Sequence, residues 1–191
     1  GGNTFYSASV KEAGGLPADG KVVTTSGVSY QLAAYDDLNT LVLNNGAEAT
    51  VEFAEPFSAK ALYILATSAN GASQLKVTPV YDDATEGVSD SFSVPDWSVR
   101  NETGEEAVTG LSRMNTGNDS MSSDFHFCLF ENSVLTDKDK KVKALRISNT
   151  SGGRALVMGF AREQAVASAI STVKGQDAAT VDGFYTVDGV R

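Results

Sequence analysis

From residue 50 onward the chain alternates apolar and polar positions in short stretches separated by turn chemistry. Thr50-Val51-Glu52-Phe53 alternates residue by residue, and Pro56 closes it. Residues 61–67, Ala-Leu-Tyr-Ile-Leu-Ala-Thr, form a nearly unbroken apolar run. A run this short and this rich in β-formers predicts a strand buried on both faces. Ser68-Ala69-Asn70-Gly71 follows as a predicted turn. Residues 74–81 alternate again, with Leu75, Val77 and Pro79 on one face and Lys76, Thr78 and Val80 on the other. Residues 82–87 read as a polar hairpin loop leading to Ser91-Phe92-Ser93-Val94. Further strands are predicted over 125–130, 142–147 and 155–161, the last two joined by a tight turn at Thr150-Ser151-Gly152-Gly153.

Only residues 163–173 carry enough alanine to suggest a helix, and their apolar spacing is irregular. Short strands at intervals of roughly 8–12 residues, with little helix, predict an all-β, antiparallel sandwich or jelly roll rather than alternating β/α units. Residues 1–163 are expected to form that sandwich. Residues 164–180, rich in Ala, Ser, Thr and Gly, read as a linker. Residues 181–191 return to strand chemistry and read as the start of a C-terminal β-hairpin. There Asp188-Gly189 is a favoured two-residue turn with only Val190 and Arg191 after it, so the natural chain is expected to continue. At the other end, Gly1-Gly2-Asn3 has no Met, basic region or apolar stretch. That is how a chain stripped of its signal peptide begins, and it argues neither for nor against secretion.

Composition narrows the function classes. The 191 residues hold 15 Lys and Arg against 24 Asp and Glu, a formal net charge of −9, and 41% are hydrophobic. A chain of this make-up buries a real core, and its acidity repels nucleic acid and anionic membrane surfaces. No apolar run approaches the ~20 residues that span a bilayer as a helix. One Cys excludes an intramolecular disulfide, and one His excludes the usual His-rich zinc sites. There is no Walker loop, dinucleotide fingerprint, Gly-x-Ser-x-Gly elbow or His-Glu-x-x-His motif.

The stretch from Tyr30 to Trp97 carries Tyr30-Gln31-Leu32, Asn39-Thr40-Leu41-Val42-Leu43, Leu62-Tyr63-Ile64-Leu65-Ala66-Thr67-Ser68, Val77-Thr78-Pro79-Val80-Tyr81-Asp82-Asp83 and Asp96-Trp97. With Lys141-Val142-Lys143-Ala144-Leu145-Arg146-Ile147 and Ala155-Leu156-Val157-Met158-Gly159-Phe160-Ala161 downstream, this order resembles the galactose-binding-like β-jelly-roll domains of secreted bacteroidete proteins, which accompany carbohydrate-active enzymes. The resemblance implies two facing antiparallel sheets, with a ligand met by loops at one end or by a concave sheet face. It also implies a secreted or cell-surface location and glycans as partners. It implies no cofactor beyond the one structural calcium that such domains often carry. Gly183-Phe184-Tyr185-Thr186-Val187-Asp188-Gly189-Val190-Arg191 resembles the opening of C-terminal tails in the same bacteria, some of which serve in export or surface attachment. A small hairpin docked on the sandwich is the alternative for that segment.

Six residues stand out as a candidate ligand-binding set: Tyr35, Asp36, Asn39, Asp96, Trp97 and Arg100. Trp97 is the only tryptophan; an indole face stacks on the apolar face of a sugar ring, while a neighbouring carboxylate accepts from hydroxyls. The opposing reading has Trp97 close one end of the core and Asp96 bond local backbone. Tyr35-Asp36-Asp37-Leu38-Asn39-Thr40 gathers an aromatic, two carboxylates and an amide, which suits a sugar, half a calcium site or ordinary Asx turns. Arg100, Arg113 and Arg154 lie in or beside presumed loops, where a guanidinium grips a carboxylate-bearing sugar bidentately or is simply solvated. Asp124, His126 and Cys128 alternate and are expected on one strand face. Their spacing is too wide for a Cys–His nucleophile pair, and they lack partners for zinc. No catalytic residue is named. The first expectation is therefore a non-catalytic, carbohydrate-binding-like module of an exported protein. A structural or protein-interaction sandwich is the alternative, and a hydrolase with an unrecognised site comes third. The ligand, the oligomeric state and any protein partner stay open.

Overall fold

The structure, a computed structural model, describes residues 2–36, 38–98, 106–163 and 173–175. Among them every regular element is a strand: β1 (Asn3–Thr4), β2 (Lys21–Val23), β3 (Ser29–Gln31), β4 (Leu41–Leu43), β5 (Glu48–Phe57), β6 (Ala61–Tyr81), β7 (Asp90–Val94), β8 (Glu106–Leu111), β9 (Met114–Asn115), β10 (Phe127–Leu135), β11 (Val142–Arg162) and β12 (Val173–Gly175). All ladders between these strands are antiparallel. No helix among the described residues is long and apolar enough to cross a membrane. The fold is all-β, as the alternation predicts.

Its frame is the pair β6 and β11, 21 residues each, which run against one another from Leu62↔Arg162 to Tyr81↔Val142. Each changes its other neighbour halfway. β6 pairs β10 over its first half and β7 over its second. β11 pairs β5 first and β4 later. The result is two layers joined at a corner. One has the order β8, β10, first half of β6, second half of β11, β4. The other has β7, second half of β6, first half of β11, β5, β12. Their inner faces share one core, in which Phe53 of one layer meets Phe160 of the other, nearly perpendicular at 6.2 Å between centroids.

Residues 68–71 and 150–153 are not turns between separate strands, as the sequence predicts, but the bends inside β6 and β11. Asn70 (φ 63°), Gly71 (φ 102°) and Gly152 (φ 93°) take left-handed backbone there, and the register shifts between Gly152 and Arg154. A bulged corner needs the same positive φ as a hairpin turn, so the same residues serve it. Further along, the loop over 82–87 does connect β6 to β7 as expected. The strand expected at 125–130 begins only at Phe127 and runs on to Leu135. β12 lies on the edge of β5, within the stretch read as a linker. The rest of that stretch, the helix-like residues 164–172 and the tail hairpin lie outside the described residues.

Both-face burial of the 61–67 run is observed: Leu62, Ile64, Leu65 and Ala66 are fully buried. Their outer side is closed by the N-terminal forty residues. At Gly159, opposite Leu65, a Cβ would come within 3.2 Å of the Tyr30 ring and 3.5 Å of Leu32, so the glycine lets the cover approach. The β2–β3 hairpin is tied to β10 through Glu131, which accepts hydrogen bonds from Thr24 (3.2 Å), Tyr30 (2.7 Å) and Ser26. Burial, then the bond to Glu131 and its charge, push the Tyr30 phenol far above its ordinary value.

Candidate functional site

Where the N-terminal cover meets the corner, it leaves a cavity of about 460 Å³. The floor is the outer face of the first layer, made of Thr67 and Ala69 from β6 with Arg154, Leu156 and Met158 from β11. Leu156 stands opposite Thr67 and Arg154 opposite Ala69. Alternation therefore turns these residues outward, while Ala155 and Val157 fill the core. Phe5, Tyr6, Leu32, Tyr35, Asp36 and Asn39 wall the cavity from the cover, and Trp97 walls it from the turn after β7.

Trp97 is held in place by backbone. Its N–H donates to the Ser68 carbonyl at 2.8 Å, and the Ser68 N–H donates to Pro95 at 3.0 Å, which clips residues 95–97 onto β6 beside the corner. Asp96 completes the clip: it accepts from the Gly71 N–H at 2.8 Å and from the N–H and hydroxyl of Ser98 at 3.0 and 2.6 Å. Partial burial works to raise the Asp96 pKa, but the bonds from Ser98 and Gly71 outweigh it and hold the carboxyl below its ordinary value. Adjacent in sequence, the two residues divide their work. Asp96 fixes the corner and does not line the cavity, whereas Trp97 does. The half-buried indole packs at 5.1 Å against Phe5 and 4.8 Å against Phe127, and its ring N–H makes no hydrogen bond among the described residues.

Tyr35 is half-buried and donates its hydroxyl to the Pro17 carbonyl at 2.8 Å. Burial, then the charge of Asp19, pushes its phenol up to about 12. Asn39 accepts from the Thr40 hydroxyl at 3.1 Å and keeps its amide N–H groups unspent. Asp36 is exposed and makes no hydrogen bond or ion pair among the described residues. Two polar groups of the floor are unspent as well. Arg154 is exposed, and its guanidinium has no ion pair, hydrogen bond or ring contact among the described residues. The Thr67 hydroxyl is buried without a partner.

Four of the six residues expected to bind ligand thus line one cavity: Tyr35, Asp36, Asn39 and Trp97. Asp96 stands beside it, and Arg100 lies outside the described residues. Of the other arginines the sequence raises, Arg154 reaches the cavity, while Arg113 lies over the Phe127 ring at 5.3 Å. Sequence reasoning missed Thr67, Phe5 and Tyr6. Thr67 ends a run that is apolar on both faces, so no alternation marks the face it takes, and nothing local marks Phe5 or Tyr6 as cavity walls.

The expected Asp124–His126–Cys128 face does not form. Residues 124–126 precede β10, and a register irregularity against β8 at Cys128 leaves Phe127 to Phe130 all buried, so the alternation fails. His126 Nδ1 instead meets Asp124 at 2.9 Å while its ring stacks on Phe127 at 4.4 Å. Burial, then the charges of Glu106 and Asp96, pushes the Cys128 thiol up to about 11, the mark of an unreactive sulfur. Among the described residues no three His, Cys, Asp or Glu side chains gather in a metal-binding group. Asp37, an acid of the Tyr35 loop, lies outside them. The chain matches no protein-family model, and no curated protein is significantly similar to it.

Proposed function

We propose that this chain is a non-catalytic, carbohydrate-binding module of an exported or cell-surface protein, and that the cavity beneath Trp97 and Tyr35 is its binding site. One observation carries this reading: two aromatic residues from distant parts of the chain wall a single cavity together with unspent polar groups. Saccharides present apolar ring faces and many hydroxyls. They are met by aromatic rings and by a few convergent donors and acceptors, in cavities of roughly 300–1,000 Å³. The Trp97 indole N–H, the Asn39 amide and the Asp36 carboxylate provide those donors and acceptors. The net charge of −9 does not oppose a neutral sugar. An all-β fold of two antiparallel layers agrees with the resemblance to galactose-binding-like jelly rolls, and that resemblance supplies the exported location.

The test is isothermal titration against a panel of neutral and acidic oligosaccharides, with and without calcium, while assaying released reducing ends. Saturable binding without release of reducing ends is expected, weakened about tenfold or more in Trp97→Ala. Flat titrations across the whole panel would sink the reading.

A structural or interaction module is the second reading. It is favoured by the full use of Asp96 in the corner and by the packing of Trp97 between Phe5 and Phe127. In that case Trp97→Ala lowers the melting temperature and no saccharide raises it.

A further inference from the structure

We infer that the cavity selects saccharides bearing a carboxylate, uronic or sialic acid units, and that Arg154 with Thr67 is the carboxylate subsite. The inference rests on the carbohydrate-binding reading and names the class of sugar within it.

Arg154 is the starting observation. The other arginines among the described residues are engaged: Arg146 pairs with Glu86, Arg113 lies over Phe127 and Arg162 over Phe57. Arg154 lines the cavity with its guanidinium unspent, in a protein where acids outnumber bases 24 to 15. A planar guanidinium is built for bidentate bonds to a carboxylate, and those bonds are stronger than bonds to a neutral hydroxyl.

Thr67 is the second, independent observation. It is 1% exposed, it lines the same floor, and its hydroxyl has no partner although buried polar groups nearly always have one. The register places the two residues together. With Leu156 opposite Thr67 and Ala69 opposite Arg154, they are diagonal neighbours on one face of an antiparallel pair. Such neighbours stand roughly 7–8 Å apart, a gap that one carboxylate bridges by accepting from both. Asp36 also lines the cavity but forms no ion pair with Arg154, so the cavity keeps its positive and negative groups apart. A sugar acid suits this division, with its carboxylate on Arg154 and Thr67 and its ring hydroxyls toward Asp36 and Asn39.

Two matched pairs test the inference by titration: digalacturonic acid against its carboxyl-reduced neutral counterpart, and sialyllactose against lactose. At least one acidic member is expected to bind about tenfold or more tightly than its neutral partner. That ratio should fall to about one in Arg154→Gln and shrink in high salt. Thr67→Val keeps the side-chain shape, removes the unsatisfied hydroxyl and should leave the fold intact. It is expected to cut acid binding several-fold, which provides a readout should Arg154→Gln unfold. Equal binding within both pairs, or binding of neutral panel sugars alone, overturns the inference and leaves the carbohydrate reading standing. An acid preference that survives Arg154→Gln overturns the assigned subsite. Absence of binding by every acidic and neutral sugar overturns both.

Discussion

Tyr35 is fixed by its environment at both ends, its ring against the core and its hydroxyl on the Pro17 carbonyl. Removing the hydroxyl in Tyr35→Phe should cost about 1 kcal/mol of stability and keep the ring wall, so saccharide affinity should change by less than about threefold. Tyr35→Ala removes the wall and should weaken binding about tenfold. The phenol also reports its own burial. Its folded-state value of about 12 lies above the ordinary 10.0. Its protonated form therefore stabilises the fold fully below about pH 10, and that contribution is lost as pH rises toward 12. Tyrosinate absorbance should show one transition near pH 12 that disappears in Tyr35→Phe; a transition near 10 in its place would mean an exposed ring. Cys128 offers a parallel check. With its thiol near 11, alkylation of the folded protein should be slow at pH 8 and rise as pH approaches 11, whereas unfolded protein reacts as an ordinary thiol.

The two long strands owe their shape to the corner, and glycine is required there for a reason other than turning. A Cβ at Gly152 would overlap the Ala72 carbonyl oxygen, and one at Gly153 would overlap the carbonyl oxygens of Gly71 and Ala69. Backbone on both sides leaves nothing flexible to yield. Gly152→Ala should therefore cost roughly 1–3 kcal/mol in urea unfolding. Gly46→Ala makes the comparison: Gly46 shares the positive φ but has open space around it, so its loss should be the smaller. If the two variants lose equally, backbone strain and not the close approach sets the cost. This corner also marks how far the sequence was legible. Alternation located the second half of β6 and a short unbroken apolar run its first half, because both are local properties of the chain. Whether Asn70-Gly71 and Gly152-Gly153 reverse the chain or bend a continuing strand depends on which strand lies alongside, and no local pattern encodes that. The candidate site divides the same way. Tyr35 and Trp97 were readable as aromatics beside polar groups, but their meeting in one cavity is long-range. Asp96 looked like a partner of Trp97 because it is the next residue, yet a turn sends the two side chains to different tasks.

At the scale of the whole molecule, the N-terminal cover does two things with one set of contacts. It closes the outer face of the first layer, through Tyr30 and Leu32 on Gly159, and it supplies Leu32, Tyr35, Asp36 and Asn39 to the cavity wall. Stability of the cover and affinity of the cavity are therefore linked, since a ligand that binds only the closed cover must stabilise it. Glu131 is the handle on this coupling. It lies on β10, does not line the cavity, and accepts the hydroxyls of Thr24, Ser26 and Tyr30 that anchor the β2–β3 hairpin. Glu131→Ala strands the buried Tyr30 hydroxyl and should cost roughly 2–3 kcal/mol. The loss should be local: amides of β2 and β3 should exchange faster with deuterium, while those of β6 and β11 keep most of their protection. Saccharide binding should weaken although no lining residue has changed, and saturating saccharide should slow exchange in β2 and β3 of the unaltered protein. Faster exchange in the hairpin with full affinity retained would show that the cover and the cavity open independently.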